Sequence, residues 1–513
     1  MKRINRKRKI ELHPIMTYMV FIIIIVVLSG FLKLLDLQST FYKVNSATLD
    51  TLPQTEAITS ILSLSGIKYI FTNTVSNFAT FTVLSNLIII LMGISVLDKS
   101  GFLQTIITLT TKKMKKTAVT FIFVLICILS SIVGDLSYLV LIPLGALLFY
   151  YGKRNPQIGI IAAFASLACG SGLNLLFNAT DSELLTYTIP VSHTIKSEYV
   201  FPNMAYLFIM IAAVLLVTYV ITLITENYIA KKLPKYEFSE TELEEDIVTK
   251  PEKRGMMWAL IAGIIYILII VYNIIPGLPL SGTLLDNSQT LYIDRLFNPA
   301  SFFSHGFVFI VTILFVILGL FYGMGSKSIK NQKDFCEFLS HSLDGIGTML
   351  VMILFASILI SVFKRSNMGN VVVASIGNMI SNSGFMGISL ILLVFIGSFI
   401  STLVVPSSAI KWSILSAPVV QTMMKSEMTP VFAQLVYRFG EATTMNLTPL
   451  LAYFVVYLAF LRKYSQGEKK FGLIESIKYQ LPYTGFIIIT LLVLIVFWYV
   501  FGLPLGINSY PLI

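Results

Sequence analysis

The sequence predicts an all-α polytopic membrane protein of about nine transmembrane helices plus two re-entrant hairpins, arranged as inverted repeats with broken helices. Three observations predict it. The first is composition: of 513 residues, 56% are hydrophobic and only 12% charged, and the mean hydropathy is +0.83. Soluble domains carry roughly a quarter charged residues, so lipid is the expected solvent. The second is a series of apolar runs long enough to cross about 30 Å of hydrocarbon, which takes roughly 20 residues each. The third is a pair of apolar stretches interrupted by Ser, Gly and Pro, each falling short of two full crossings.

The long runs lie at about 15–35, 79–97, 158–180, 203–226, 256–275, 304–323, 344–363, 430–461 and 484–505. The first is an anchor preceded by Lys2, Arg3, Arg6, Lys7, Arg8 and Lys9, which by the positive-inside rule stay cytoplasmic. Crossing out and back places Lys112, Lys113, Lys115, Lys116, Lys153 and Arg154 inside, then Lys231, Lys232 and Lys235. Lys327, Lys330, Lys333, Arg462, Lys463, Lys469 and Lys470 fall inside as well, and nine crossings leave the C-terminus outside. The net charge of +11 is thus a topology signal and not a nucleic-acid surface.

The division expected is a basic arm and first span at 1–36, a first repeat at 68–226 and a charged cytoplasmic connector at 227–255. Two spans with their loops follow at 256–340, then a second repeat at 341–513. The connector carries Glu237, Glu240, Glu242, Glu244, Glu245 and Asp246.

The first interrupted stretch, 117–151, is broken by Ser130, Ser131, Gly134, Asp135 and Ser137; the second, 384–424, by Gly397, Ser398, Ser401, Thr402, Pro406, Ser407 and Ser408. Non-helical backbone is tolerated at membrane depth only where protein or a watery cavity satisfies it, so each is expected to be a re-entrant hairpin whose tip marks a cavity. Each is followed by a long helix with its own break. Pro143 to Pro156 is 13 positions and Pro418 to Pro430 is 12; the breaks at Gly170-Ser171-Gly172-Leu173-Asn174 and Thr443–Pro449 begin 14 and 13 residues on. The crossing count gives the halves opposite orientation, the architecture of secondary transporters.

Residues inside the membrane then need a reason. Gly170 and Gly172 permit unwinding and Asn174 supplies an amide; Pro449 removes a donor and disfavours helix at Thr448. Asn174 and Ser131 in one half, with Asn446, Thr448 and Ser408 in the other, could form two related Na⁺ sites. Arg438 and Glu441 lie where an unpaired charge costs at least about 2.5–3.5 kcal/mol, and their i, i+3 spacing puts them on one helical face. They form either a structural ion pair or a substrate site, in which Arg438 offers a planar fork to a carboxylate or sulfonyl group and Glu441 positions it or carries a proton. Asp181 is a second carboxylate near the pathway, and Trp412, beside Lys411, offers an aromatic face for stacking or packing.

The segment Ser408-Ala409-Ile410-Lys411-Trp412-Ser413-Ile414-Leu415-Ser416-Ala417-Pro418, followed by Tyr437-Arg438-Phe439-Gly440-Glu441 and Asn446-Leu447-Thr448-Pro449-Leu450, resembles the signature of the p-aminobenzoyl-glutamate transporter (AbgT) family. In the first half, Ile142–Ala146, Ala162–Ala165, Gly170-Ser171-Gly172 and Asp181 stand at similar spacing. The resemblance implies a homodimeric inner-membrane transporter of p-aminobenzoyl-glutamate and related folate-pathway compounds, including export of sulfonamide antimetabolites, driven by a Na⁺ or H⁺ gradient. It places Asp181, Trp412, Pro418 and Arg438 at functional positions. Glu441 stands where the family usually has Asp, and Gly172-Leu173-Asn174 shortens the usual small-residue run.

Other functions are disfavoured. The isolated Cys127, Cys169 and Cys336 and the scattered His13, His193, His305 and His341 offer no metal or redox site, and no P-loop is present. A membrane-embedded enzyme lacks a catalytic cluster, and a passive channel needs neither duplication nor paired breaks. A transporter of other organic carboxylates on the same fold is the nearest alternative. The expected partners are a small aromatic amide or carboxylate substrate and the lipid bilayer, with no resident cofactor.

Overall fold

The structure is a computed structural model, which describes residues 12–45, 48–175, 178–202, 204–239, 248–298, 301–467 and 470–513. The basic run Lys2–Lys9, Lys469 and the connector acids Glu240–Asp246 therefore lie outside the described residues.

Among the described residues, nine helical segments are long and apolar enough to cross a membrane. Helix α1 (Pro14–Leu34) starts with Pro at its first turn and His13 as N-cap, and its outer face leaves Ile23, Ile24, Val27 and Phe31 bare. Exposed apolar surface on this scale has no place in water. A β-hairpin, β1 (Gln38–Val44) with β2 (Thr51–Ala57), follows; it is tied down by Asn378 to Ser39 and by Asn367 to Glu56. Its sequence signal is a short alternation of Thr, Phe, Tyr and Val, far below the length of a membrane-crossing apolar run.

Helices α2 (Leu64–Ala79) and α3 (Thr82–Lys99) make one long span bent at Thr80-Phe81. After the short α4 (Phe102–Thr111) come α5 (Lys116–Leu129) and α6 (Ser137–Tyr151), joined by a 3₁₀ turn in which Gly134 takes φ +71°. The chain doubles back there: Phe123 of α5 meets Phe149 of α6 with ring centroids 6.3 Å apart, and Arg154, just past α6, reaches Thr120 near the start of α5.

Helix α7 (Pro156–Gly170) then runs inward and breaks, and α8 (Ala179–His193) continues. The long helices α9 (Leu207–Ile224), α10 (Lys250–Ile274) and α11 (Phe302–Ser326) follow, then α12 (Gln332–His341), α13 (Gly347–Ser366) and α14 (Met368–Asn382). The second doubled-back pair is α15 (Gly387–Val404) with α16 (Ser408–Lys425). The second broken helix is α17 (Pro430–Ala442) with α18 (Phe454–Lys463), and α19 (Leu473–Val500) closes the fold.

Helix α19, about 42 Å long at 1.5 Å per residue, serves as a ruler. Arg154, at the open end of the first pair, bonds to Glu226 just past α9 at 2.7 Å, and Lys232, six residues farther along that segment, sits 5.1 Å over Tyr479 near the start of α19. The second pair opens at the other end: Tyr499 lies beside Gly387, stacks on Phe432, and Thr429 bonds to Pro511. The two hairpins therefore open toward opposite ends of the bundle. Likewise α7 and α18 share one end, where Gln157 bonds to the Leu461 carbonyl and to Ser465, while α17 enters from the other.

The nine crossings expected from sequence and these nine apolar segments share a number but differ in membership. Lys116–Tyr151 is the whole first hairpin and Gly387–Val404 one arm of the second; the broken helices, whose halves are 15, 15, 13 and 10 residues, are too interrupted to stand as single apolar helices. The first of them reaches His193, well past the expected end at 180, because the break lies within it.

Close helix approach depends on glycine at the α6–α7 contact, where a Cβ on Gly159 would lie 2.2 Å from the Gly145 carbonyl oxygen. Gly159→Ala should lower stability by about 1–3 kcal/mol, as overpacking does. Gly485→Ala, which meets nothing within 4 Å, should leave it unchanged in the same thermal unfolding series in detergent.

Candidate functional site

The two broken helices start alike. Asn155 caps α7 and Thr429 caps α17, each followed by a proline at the first helical position, which supplies the preferred cap oxygen and a preset φ. Both helices run to mid-depth and stop, α7 after Gly170 and α17 after Ala442. A Cβ on Gly172 would lie 2.5 Å from the Arg438 carbonyl oxygen, so the first break packs directly against the second helix. Glycine there lets the two backbones touch.

The break in the first half is rebuilt by a capping box. Asn178 caps α8 through the Asp181 amide at 3.0 Å, and the Asp181 carboxylate accepts from the Asn178 amide at 3.3 Å and from Asn174 Nδ2 at 3.0 Å. Asn178 Nδ2 also donates to the Ser131 carbonyl at the first hairpin tip. Asp181 is thus in the first turn of α8, inside the broken helix and not just past the end of the apolar run expected at 158–180. Asn178 was missed, although Asn178-Ala179-Thr180-Asp181 carries the spacing of an N-cap with an acid three residues on.

Around Asp181 is a buried charge network drawn from both halves. Arg438 Nε lies 3.6 Å from Asp181, and its Nη1 lies 3.6 Å from Glu441. Arg438 also donates to the Ser171 carbonyl in the first break and, at 3.2 Å, to Ser408 Oγ at the second hairpin tip. Ser408 donates in turn to Glu441. Lys411 Nζ donates to Thr402 at 2.6 Å and stands 3.8 Å from Glu441. Asp181, Arg438, Glu441 and Lys411 are all buried. Two cations face two carboxylates here, and Asp135 at the first tip adds a third within electrostatic reach of Arg438 and Glu441. Glu441 Oε2, Arg438 Nε and Asn174 Oδ1 have no hydrogen-bond partner among the described residues.

One turn away, Trp412 is fully buried, with its ring 4.4 Å from Tyr437 and its indole N–H donating to Thr188 at 2.8 Å. Thr188 donates to Gln434, so both halves meet again. Pro418 lies farther out along α16, against Gly377 of α14. Asn446 turns toward α19, bonding Gln480 and Thr484, and Thr448 caps the Leu403 carbonyl. The structure therefore joins Ser131, Asn174, Asp181, Ser408, Arg438 and Glu441 in one network, and places Trp412 beside it. It sets Pro418, Asn446 and Thr448 apart.

In front of this network is a cavity of about 640 Å³. Its walls include Ser131, Gly134 and Asp135 from the first tip and Pro406, Ser407 and Ser408 from the second. Ser171 and Asn178 of the first break, and Met445 and Tyr453 of the second, complete it. Ser408, Ser131 and Ser171 separate the cavity from Arg438, Glu441 and Trp412, which do not line it. Lys364 and Glu183 also reach it; neither was legible from sequence, since Lys364 ends a helix outside both hairpins.

Two oppositely opening helical hairpins and two antiparallel broken helices converging on a polar mid-depth cavity define a multi-pass membrane protein of transporter class. Residues 3–513 match the family described as "AbgT putative transporter family", and the chain belongs to it. It is similar to the p-aminobenzoyl-glutamate transport protein of Escherichia coli strain K12, 25% identical over 500 residues, which covers 97% of this chain and 94% of that protein. Two solved structures are also similar at 26% identity and a TM-score of 0.48. They are the YdaH transporter of Alcanivorax borkumensis, covering 96% of this chain and 100% of that one, and Neisseria gonorrhoeae MtrF, of a class of antimetabolite efflux pumps, at 98% of each.

Removing one member of the network leaves its partner stranded. Glu441→Gln takes away the only carboxylate beside Lys411 among the described ion pairs and should destabilise by about 3–5 kcal/mol. Adding Lys411→Met to it should recover part of that loss. Thermal unfolding of both purified variants checks the order.

Proposed function

We propose that this protein is an ion-gradient-driven secondary transporter of p-aminobenzoyl-glutamate and related folate-pathway compounds, with sulfonamide antimetabolites among its export cargo. The observation that carries it is the meeting of both hairpin tips and both helix breaks around one cavity of about 640 Å³. Such a volume lies within the range of ordinary small-molecule sites. The hairpins act as re-entrant elements of two inverted repeats, so that rocking one half against the other alternates access to the cavity. This is transport and not catalysis.

Arg438 supplies the fork for a substrate carboxylate or sulfonyl group, reached once the Ser408 and Ser171 contacts open. In the closed arrangement Asp181 and Glu441 hold that fork in place. A substrate anion replacing one of them releases a carboxylate, which then takes Na⁺ or a proton, and this exchange couples ion to cargo. Asn174 Oδ1 and Glu441 Oε2, buried acceptors with no hydrogen-bond partner among the described residues, suit a cation of either kind. Trp412 backs the site as an aromatic wall.

The basic loops support an orientation in the cytoplasmic membrane. Lys232 lies over Tyr479 and Arg462 bonds the Phe471 carbonyl, both at the α19 start, with Arg154 on Glu226 just past α9, so that end faces the cytoplasm and the C-terminus lies outside. The protein works as a homodimer.

Reconstitution in liposomes with Na⁺ and pH gradients imposed separately, following labelled p-aminobenzoyl-glutamate and a sulfonamide, tests this. Accumulation against a concentration gradient is expected under one of the two, and equilibration alone would reduce the protein to a channel. Arg438→Ala should abolish movement of both compounds in protein that stays monodisperse. Trp412→Ala should weaken the aromatic ligands more than ion binding, read by competition against labelled substrate.

A further inference from the structure

A second cavity, of about 390 Å³, lies at the basic end of the bundle, away from the hairpin tips. His13, Arg462, Lys463 and Lys470 line it, and Asp344 is the one acid among its described lining residues. Asp344 is already engaged, 3.3 Å from His341. Arg462 uses one nitrogen on the Phe471 carbonyl, at 2.7 Å, and Lys463 rests over the Phe460 ring. Burial first, then the positive fields of Arg462 and Lys470, hold His13 below its usual pKa. Asp98 of α3 faces Lys463, yet His13, Arg462 and Lys470 remain a concentration of like charge, which favours an entering anion.

Two further features sharpen the chemistry. The N-cap of α1, His13, and the first turn of α13 border the cavity, and neither helix has an acid in its first turn, so their N-terminal dipoles add to the side-chain charge. The inner wall is apolar, formed by Leu91, Met349 and Met352. The site sits at the level where α1 passes from His13 into its apolar span. A charged mouth over an apolar wall at that level matches a lipid: phosphate outside, acyl chain within.

We propose that this cavity binds a phosphate group carried by an anionic phospholipid, wedged between α1 and the α13–α18 side of the transport core. The helix it touches, α18, is the distal half of the second broken helix, so lipid there would brace the segment that carries the break. None of the residues involved contributes to the transport site, and the inference stands whatever the cargo.

The test uses the full purified chain in detergent, examined by native mass spectrometry and thermal unfolding. Three additives at equal ionic strength are compared: phosphatidylglycerol, phosphatidylcholine and inorganic phosphate. Phosphatidylglycerol adducts and a raised unfolding temperature are expected with the first alone. Lys463→Gln with Lys470→Gln should weaken phosphatidylglycerol retention about tenfold or more, at the strength usual for basic side chains near a membrane surface. Lys231→Gln with Lys235→Gln, which removes the same charge on the same face, should retain it. The lysine pair is chosen because Arg462 also holds backbone, so Arg462→Gln could fail for structural reasons. Equal retention by both double variants would overturn the proposal, as would protection by phosphatidylcholine. A stabilisation by inorganic phosphate equal to that of phosphatidylglycerol would overturn the lipid as its source.

Discussion

Everything in this structure follows from the need to satisfy backbone polar groups inside a bilayer, where water is not at hand. Four segments, two hairpin tips and two helix breaks, leave the helical ladder at mid-depth. Each is completed by another. Asn178 serves the Ser131 carbonyl, Arg438 the Ser171 carbonyl, Tyr437 the Ser408 carbonyl, Thr444 the Phe399 carbonyl and Thr448 the Leu403 carbonyl. Broken backbone of one half is patched largely by side chains at the breaks, and the polar surface left over lines the cavity.

Arg438 is where that scheme becomes chemistry. It touches the first half through Asp181 and Ser171 and the second through Glu441 and Ser408. A group bonded across two halves is sensitive to their relative position, and in the proposed transport cycle a ligand competing for it would bias that position by its differential affinity for the two arrangements. The long Arg438–carboxylate separations of 3.6 Å leave room for such competition. Lys411, fully buried beside Glu441, gives the second carboxylate a cation besides Arg438.

Much of this was legible in the sequence for a physical reason: membrane burial makes breaks in apolar runs conspicuous. Pro156 and Pro430, Gly170 and Gly172, and the Ser-rich tips announce themselves because such residues are expensive there unless used. Arg438 and Glu441 stand out in the same way. What stayed hidden is what depends on local alternation or on tertiary direction. The β-hairpin at 38–57 is short and half-exposed, and α14 is too polar to read as a crossing. Asn446 stands as the counterpart of Asn174 in the sequence pattern, yet its amide turns to Gln480 and Thr484, since a 3₁₀ turn at Met445–Leu447 points it at α19. Lys364 carries no signal at all, because only folding brings the end of α13 to the cavity.

The central claim is that the two tips share one cavity between the aqueous faces. With Cys336 replaced by Ser, leaving only the buried Cys127 and Cys169, the double variant Asp135→Cys/Ser407→Cys in sealed vesicles can be treated with a short bifunctional thiol reagent. The account predicts intramolecular cross-linking, with both thiols shielded together by a bound substrate. Free reaction of each thiol from a different side of the membrane, with no cross-link, would contradict it.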